Sequence, residues 1–392
     1  LANDLPTMVF ARGLQGACGA SLVPLSQATL LDINPPELLG RAMAIFSIGS
    51  MAGPILGPTL GGWLTDTLSW RWVFFINVPI GIVSFLGMLA FMFENRSADP
   101  PRFDMFGFAF VSLALGAMQL MFDRGEQLDW FESTEIQIYA VVFGLCVWIA
   151  GVHHATARDT FLQPRLFLDR NFALGSAISA TIGVVTFATL PILTVMTQSL
   201  LEYSAYRTGV VGMPRALGSV VSMLVVARLV TRVDTRLILI VGLLGNALCL
   251  ALYAGIDLYV DERMLVWIGV VQGVSTGLLF VPLSLAVFST LPSTLRNEGA
   301  AMYALTRNLG NAIGISVLQR QMIHYTAQSQ STMVEGVRPD NPVIGYARPD
   351  LDFASVEAMS RMAREIARQA SMVGYVGVYQ LCCVLTLAAL PL

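Results

Sequence analysis

The sequence contains no lysine; all 23 of its basic residues are arginine. That removes a P-loop, whose lysine must reach the nucleotide phosphates, and a Schiff-base site, which needs a lysine amine. Charge of either sign is scarce: 12% of residues carry one, against about 25% in soluble globular domains. The formal net charge of −3 gives no reason to expect a nucleic acid or another polyanion as partner. Cysteine is also sparse. Cys18, Cys146, Cys249, Cys382 and Cys383 lie in apolar stretches without metal-ligand spacing and read as small buried side chains. No metal and no cofactor is expected, and the apolar stretches hold no nucleophile–base pair that would suggest an enzyme. The alternating ten-residue pattern of a transmembrane β-barrel is absent as well.

What fills the chain instead is apolar. The composition is 55% hydrophobic with a mean hydropathy of +0.67. Runs of 18 or more apolar residues follow one another across short polar breaks, the mark of an all-α polytopic membrane protein. Eleven spans are expected near residues 8–31, 42–65, 72–93, 105–122, 136–156, 172–197, 208–230, 237–256, 264–288, 299–319 and 372–392. One alternating set of short loops holds ten arginines: Arg41, Arg96, Arg102, Arg158, Arg165, Arg170, Arg228, Arg232, Arg236 and Arg296. The other set holds only Arg71, Arg124, Arg207 and Arg263. The positive-inside rule then puts the first set in the cytoplasm, residue 1 in the periplasm and Leu392 in the cytoplasm. The long loop 321–371 falls outside, and its length exempts its arginines from that rule.

Two stretches repeat. "LQGACGASLVPLSQATLL" from Leu14 matches "VQGVSTGLLFVPLSLAVF" from Val271, pairing Gln15-Gly16 with Gln272-Gly273 and Pro24-Leu25-Ser26 with Pro282-Leu283-Ser284. Further on, Gly40 and Ala42-Met43 pair with Gly299 and Ala301-Met302, and Gly53 and Gly57 with Gly310 and Gly314. Spans 1 and 2 therefore recur as spans 9 and 10, with the same side up, as in halves related about an axis normal to the membrane. If the repeated pair is fourth and fifth in each six-helix half, residues 1–93 are the remainder of an N-terminal bundle. Residues 94–156 are then two extra linking helices, and 157–392 a complete C-terminal bundle. Symmetry alone predicts a fourteen-helix carrier with three helices preceding residue 1.

The segment "GSMAGPILGPTLGGW" (Gly49 to Trp63) places Gly49, Gly53, Gly57 and Gly61 in one helical stripe, with Pro54, Pro58 and Gly62 beside it. Small residues at that spacing let helix backbones approach closely in lipid. Proline is tolerated there because neighbours satisfy the carbonyls it frees. This GxxxGPxxxGPxxGG pattern resembles the fifth-helix motif of major facilitator antiporters. "WRWVFFINVPIG", "MFDRGEQLDWFES", "LFLDRNF" and "ALTRNLGNAIG" resemble segments of the fourteen-helix drug:proton antiporters of the EmrB and QacA type, and above all EmrB-like exporters of Gram-negative bacteria. The resemblance covers essentially the whole chain. It implies a major facilitator fold of two pseudo-symmetric bundles, with the glycine stripe sealing the outward side between them.

Arg12 opens "RGLQGACGA" a few residues inside the first span. An arginine at a helix centre costs ~2.5–3.5 kcal/mol on insertion scales, so it is a functional candidate by default, beside the alternative of snorkelling to the interface. Its RxxQG pattern resembles the fourth-helix motif whose arginine the family associates with proton coupling. Gln15 and its repeat mate Gln272 are candidates for the substrate cavity, or for plain interhelical hydrogen bonds. Asp66, Arg71, Arg307 and Asn308 are structural or gating candidates, and Arg215 has no counterpart in the family pattern. His153-His154 reads as an interfacial pair. No Asp or Glu lies deep in any span: Asp32, Asp66, Asp104, Glu135, Glu202 and Glu298 all sit near ends. The proton-carrying acid is accordingly expected among the helices preceding residue 1. In the long loop, Met359, Met362, Ile366 and Ala370 share one helical face. That face either covers the carrier or docks the membrane-fusion adaptor and outer-membrane channel implied by the resemblance.

The function expected is export of hydrophobic drugs in exchange for protons across the inner membrane. Export of an endogenous metabolite such as a siderophore or fatty acid, and a non-transporting sensor or scaffold with the same fold, stand beside it.

Overall fold

A computed structural model describes residues 4–91, 104–157, 160, 164–187, 189–292, 295–338, 340–341, 344, 346, 353 and 355–391. Among them, all regular structure is helical. The helices are α1 (Leu5–Gly19), α2 (Leu22–Ile33), α3 (Leu39–Thr67), α4 (Trp72–Phe75), α5 (Asn77–Phe91), α6 (Met105–Gly125), α7 (Thr134–Thr156), α8 (Arg170–Ile182), α9 (Thr189–Ser199), α10 (Ala205–Leu229), α11 (Thr235–Tyr253), α12 (Glu262–Phe288), α13 (Arg296–Gly336) and α14 (Val356–Ala388). Most begin where the sequence supplies a short polar side chain. Asp4, Ser133, Asp169, Ser204, Asp234, Asp261 and Ser355 each accept a bond from a backbone N–H of the first turn, satisfying one of the donors a helix start leaves open.

Eight of the described helical segments are long and apolar enough to cross a membrane. The expected spans at 8–31, 42–65 and 299–319 are helical but stand outside those eight. Of these three, 299–319 has Arg307, Asn308 and Asn311 in places that lipid-facing helices give to leucine and valine. The first of the three is broken into α1 and α2 at Ala20–Ser21. Pro24 lies one turn on, and a proline ring clashes with the carbonyl four residues before it.

Helix α3 runs antiparallel along α10. Gly40 abuts Val230 at one end, Thr59 Oγ1 donates to the Gly209 carbonyl (2.9 Å), and Gly62 lies against the Ala205 backbone at the other end. Helix α10 in turn packs on α12, α11 lies against α12 and α14, and α8 against α13. Helices α6 and α7 pair mainly with each other, and His153 Nε2 lies 3.0 Å from both carboxylate oxygens of Asp104 at one end of that pair. One buried cluster joins Ala28, Leu31, Met43 and Ala44 to Met223, Val226, Phe280 and Tyr303, and so binds α2 and α3 to the C-terminal helices. A second, with Met196, Leu250, Tyr253, Leu265 and Tyr379, lies within the C-terminal helices alone.

The long loop departs from expectation. Helix α13 continues past the span to Gly336, and α14 begins at Val356 as one helix with the final span. At 41 and 33 residues, their lengths are about 60 and 50 Å, against a hydrocarbon core of about 30 Å. They pack together through Gly374 against Met322 and Thr326, and Gly377 against Tyr325. Ile366 and Ala370 of the expected amphipathic face are buried in the chain itself, and Arg368 donates to the Leu200 carbonyl (3.2 Å).

Candidate functional site

Arg12 and Gln15 meet, as their spacing of one turn allows: Arg12 Nη1 donates to Gln15 Oε1 at 3.1 Å. The guanidinium also lies 4.6 Å from the ring centroid of Phe74 in α4. Stacking of this kind favours a charge held in one place. Phe74 escaped the sequence reading, although it belongs to the quoted segment after the glycine stripe. All of α1 is without a buried residue, so this group faces outward from the described helices.

Gln272 lies elsewhere. It is fully buried among the C-terminal helices, and neither its Nε2 nor its Oε1 has a partner among the described residues. Gln15 is exposed, so the two repeat mates occupy different surroundings.

The two copies of the glycine motif differ in the same way. In α13, an added Cβ at Gly310 would fall 2.3 Å from the Ala180 carbonyl oxygen, and one at Gly314 would fall 2.6 Å from Val184 Cα. Those glycines are what lets α8 lie directly on α13. In α3, a Cβ at Gly49, Gly53 or Gly57 would meet nothing within 4 Å, and one at Gly61 only Val73 at 4.0 Å. The close approach of α3 to α10 is made instead at Gly62, beside the stripe, and at Gly209 of α10, where a Cβ would fall 2.6 Å from Thr59 Cα. The close packing of α3 therefore uses the face next to the stripe. Pro54 and Pro58 lie within the unbroken run of α3.

Among the gating candidates, Asp66 is exposed near the end of α3, and Arg71 stacks 4.7 Å from the Trp70 centroid. Arg307 is partly buried with its guanidinium 5.9 Å from the Phe280 centroid, while Asn308 is exposed. The polar link between α2 and α13 was not foreseen: Arg296 Nη1 donates to Asp32 Oδ1 (3.1 Å) and to the Leu31 carbonyl (3.2 Å). It joins the first repeat to the second at the end where the loops meet. Next to it, burial pushes the carboxyl of Glu298 above the usual range. At the opposite end, Glu262 bonds Arg207 (2.6 Å) and raises its already high pKa.

A cleft of ≈ 1130 Å³ opens at the Arg296 end. It is lined from α2 and α3 by Leu31 and Gly40, and from the C-terminal helices by Ile178, Leu243, Leu283 and Arg296. Arg12, Gln15 and Gln272 are not among its lining residues.

Residues 1–315 match the family profile of the Major Facilitator Superfamily. The chain belongs to the major facilitator superfamily. It is a multi-pass membrane protein, and the relatives it matches include export and resistance proteins by name. It is 27% identical over 384 residues to the Multidrug export protein EmrB of Haemophilus influenzae, covering 95% of this chain and 74% of the relative. The EmrB protein of Escherichia coli K12 is 29% identical over 344 residues, 87% of this chain and 67% of the relative. The Fatty acid resistance protein FarB of Neisseria gonorrhoeae is 30% identical over 335 residues, 83% of this chain and 66% of the relative.

Proposed function

We propose that this major facilitator protein exports hydrophobic, cationic or weakly acidic compounds across the bacterial inner membrane in exchange for protons. The observation that carries the reading is the Arg12 group. An intramembrane arginine is held by Gln15 and Phe74 on the helix that continues, through α2, into the buried cluster joining both parts of the chain. A fixed positive charge there lowers the pKa of a carboxylate brought near it and favours proton release, which ties protonation to the arrangement of the helices. The open face of Gly49, Gly53 and Gly57 is assigned to close packing with a further helix, as α8 fills the matching face of α13. The three-part division, with a partial N-terminal bundle at 1–93, linking helices at 94–156 and a C-terminal bundle at 157–392, belongs to the same reading. So does the sidedness, with the Arg296 end in the cytoplasm.

The cleft at that end combines apolar walls with charged lining from Glu37, Asp234, Arg170, Arg236 and Arg296, a mixed surface that suits apolar compounds carrying an ionisable group. The similarity to a fatty acid resistance protein supports a second cargo class, apolar acids. The paired extensions of α13 and α14 would then stand in the periplasm, where a membrane-fusion adaptor and an outer-membrane channel could complete an export path.

The test uses the full-length gene in inside-out vesicles carrying a proton gradient. Lipophilic drugs, uncouplers and long-chain acids are added singly while a pH-sensitive dye is followed. Proton release on cargo addition that vanishes in Arg12→Ala is expected. Silence across the panel, with folded protein present, would reject antiport.

A further inference from the structure

Arg215 is the one intramembrane arginine for which the family pattern offers no role, and its surroundings are unusual. It follows Pro214 inside α10, where α12 comes closest. A Cβ at Gly273 would fall 1.9 Å from the Arg215 carbonyl oxygen, and one at Gly269 would fall 3.6 Å from Arg215 Cβ. The guanidinium points away from this crossing into the C-terminal bundle. Its Nη2 donates to the Thr186 carbonyl (3.0 Å), in the π-helical turn Gly183–Phe187 that joins α8 to α9. Its Nη1 is shut off from solvent and has no partner among the described residues.

Tyr253, Tyr379 and Cys249 lie near enough to Arg215 to act on it electrostatically. Tyr253 of α11 and Tyr379 of α14 stack at 5.1 Å between ring centroids, are 1% and 0% exposed, and neither hydroxyl has a partner among the described residues. Thr186 Oγ1, on the residue whose carbonyl Arg215 holds, is buried and unpartnered too. Gln272 lies between the side of α12 that faces α10, marked by Gly269 and Gly273, and the side that faces α11, marked by Ser275 and Leu279. Its amide is therefore turned to the same interior, unpartnered at both ends.

Such a cluster has a chemical direction. The guanidinium, two phenols, a hydroxyl and an amide supply donors in excess, and the only full charge is positive. Buried polar groups are ordinarily hydrogen-bonded, and a buried cation is tolerated when an anion or a set of dipoles answers it. A carboxylate side chain would be the usual answer, yet among the described residues no Asp or Glu is buried in this bundle.

We propose that the interior of the C-terminal bundle is a binding site for a small monoanion, a halide or a carboxylate head, held by Arg215 with the hydroxyls of Tyr253 and Tyr379 and the amide of Gln272. The site is separate from the cleft at the Arg296 end, none of whose lining residues it shares. It stands whether or not Arg12 couples protons. The anion neutralises Arg215 and links α10, α11, α12 and α14, so its binding stabilises the folded bundle.

The experiment is thermal unfolding of the purified full-length protein in detergent. Chloride or bromide replaces the bulky sulfonate of a HEPES salt at constant ionic strength, and a parallel series adds an alkyl carboxylate. A rise in Tm of roughly 3 °C or more at saturation is expected from mass action. A response to halide alone identifies an inorganic ion; a response to the alkyl carboxylate identifies the head of a cargo. Arg215→Gln should unfold at a Tm independent of either anion. Should that variant fail to fold, Tyr379→Phe removes one donor and no charge. It should raise the anion midpoint about tenfold, the worth of one hydrogen bond to a charged acceptor. No response in the unaltered protein, or an unshifted midpoint in Tyr379→Phe, overturns the proposal and leaves water as the filler of the cluster.

Discussion

Replacing Gly273 by alanine tests the packing of α10 on α12 at its tightest point. The added methyl would sit 1.9 Å from the Arg215 carbonyl oxygen, 2.8 Å from its carbonyl carbon and 3.0 Å from the Ser219 nitrogen. All three are backbone atoms, so no side-chain rotation relieves the contact. The helices must part by about 1 Å, and overpacking of this kind costs about 1–3 kcal/mol. Parting them also stretches the bonds from Ser219 Oγ to the Gly273 carbonyl (3.0 Å) and from Ser222 Oγ to the Val274 carbonyl (2.8 Å), each worth about 1 kcal/mol. Alanine's better helix propensity returns about 1 kcal/mol. The net expectation is destabilisation of about 2 kcal/mol. Gly144→Ala in α7 is the control: its Cβ would meet nothing within 4 Å, so only the propensity gain remains. Thermal unfolding of the two variants in one detergent, read by loss of the monodisperse peak, compares them directly. Equal unfolding temperatures would refute the close approach of α10 and α12.

Three further outcomes follow from named contacts. Arg296→Gln removes a partly exposed pair with Asp32, so stability should fall by less than about 1 kcal/mol. Maleimide labelling of a cysteine placed at the buried Ala28 should nevertheless quicken as that end loosens, and an unchanged rate would disprove the link. Thr59→Val keeps the shape but loses the hydroxyl bonded to the Gly209 carbonyl. About 1 kcal/mol of stability should go with it, and no loss in the melting curve would show that the bond is idle. Burial raises the pKa of Glu298 in the folded state, so the native form holds its proton more tightly than the unfolded one. The stability this contributes is complete below the unfolded value and disappears as pH rises through the folded one. Glu298→Gln should accordingly gain stability relative to the parent as pH rises out of the acidic range; parallel stability–pH curves would contradict this.

The apolar spans were legible because burial in lipid demands long hydrophobic runs. The extensions of α13 and α14 were not. "QMIHYTAQSQSTMVEG" is polar but lacks proline and has no glycine before its last residue, so nothing stops the helix, while a hydropathy reading registers only that lipid has ended. Arg12 and Gln15 could be paired from their spacing alone, since helix geometry fixes it. The Phe74 contact needed the turn between α3 and α4. The glycine motif shows the limit most clearly. Spacing declares that a face can be approached closely, but the approaching backbone is a tertiary fact, and it reaches Gly310 and Gly314 but not Gly53 and Gly57. Arg215 was visible as an oddity, yet its donor-rich company comes from four separate helices.

The pair formed by α13 and α14 has a mechanical meaning. Two helices packed side by side through Gly374 and Gly377 resist bending better than either alone, and α13 begins at Arg296, whose contact with Asp32 ties it to the other repeat. A rigid rod of this length acts as a lever. If the bundle rocks by about 10° around its middle, the two ends of a 60 Å helix move in opposite senses by about 5 Å each. A rearrangement that merely breaks one ion pair at the Arg296 end is thus delivered, undiminished and without any loop in between, to a point well beyond the opposite face of the membrane.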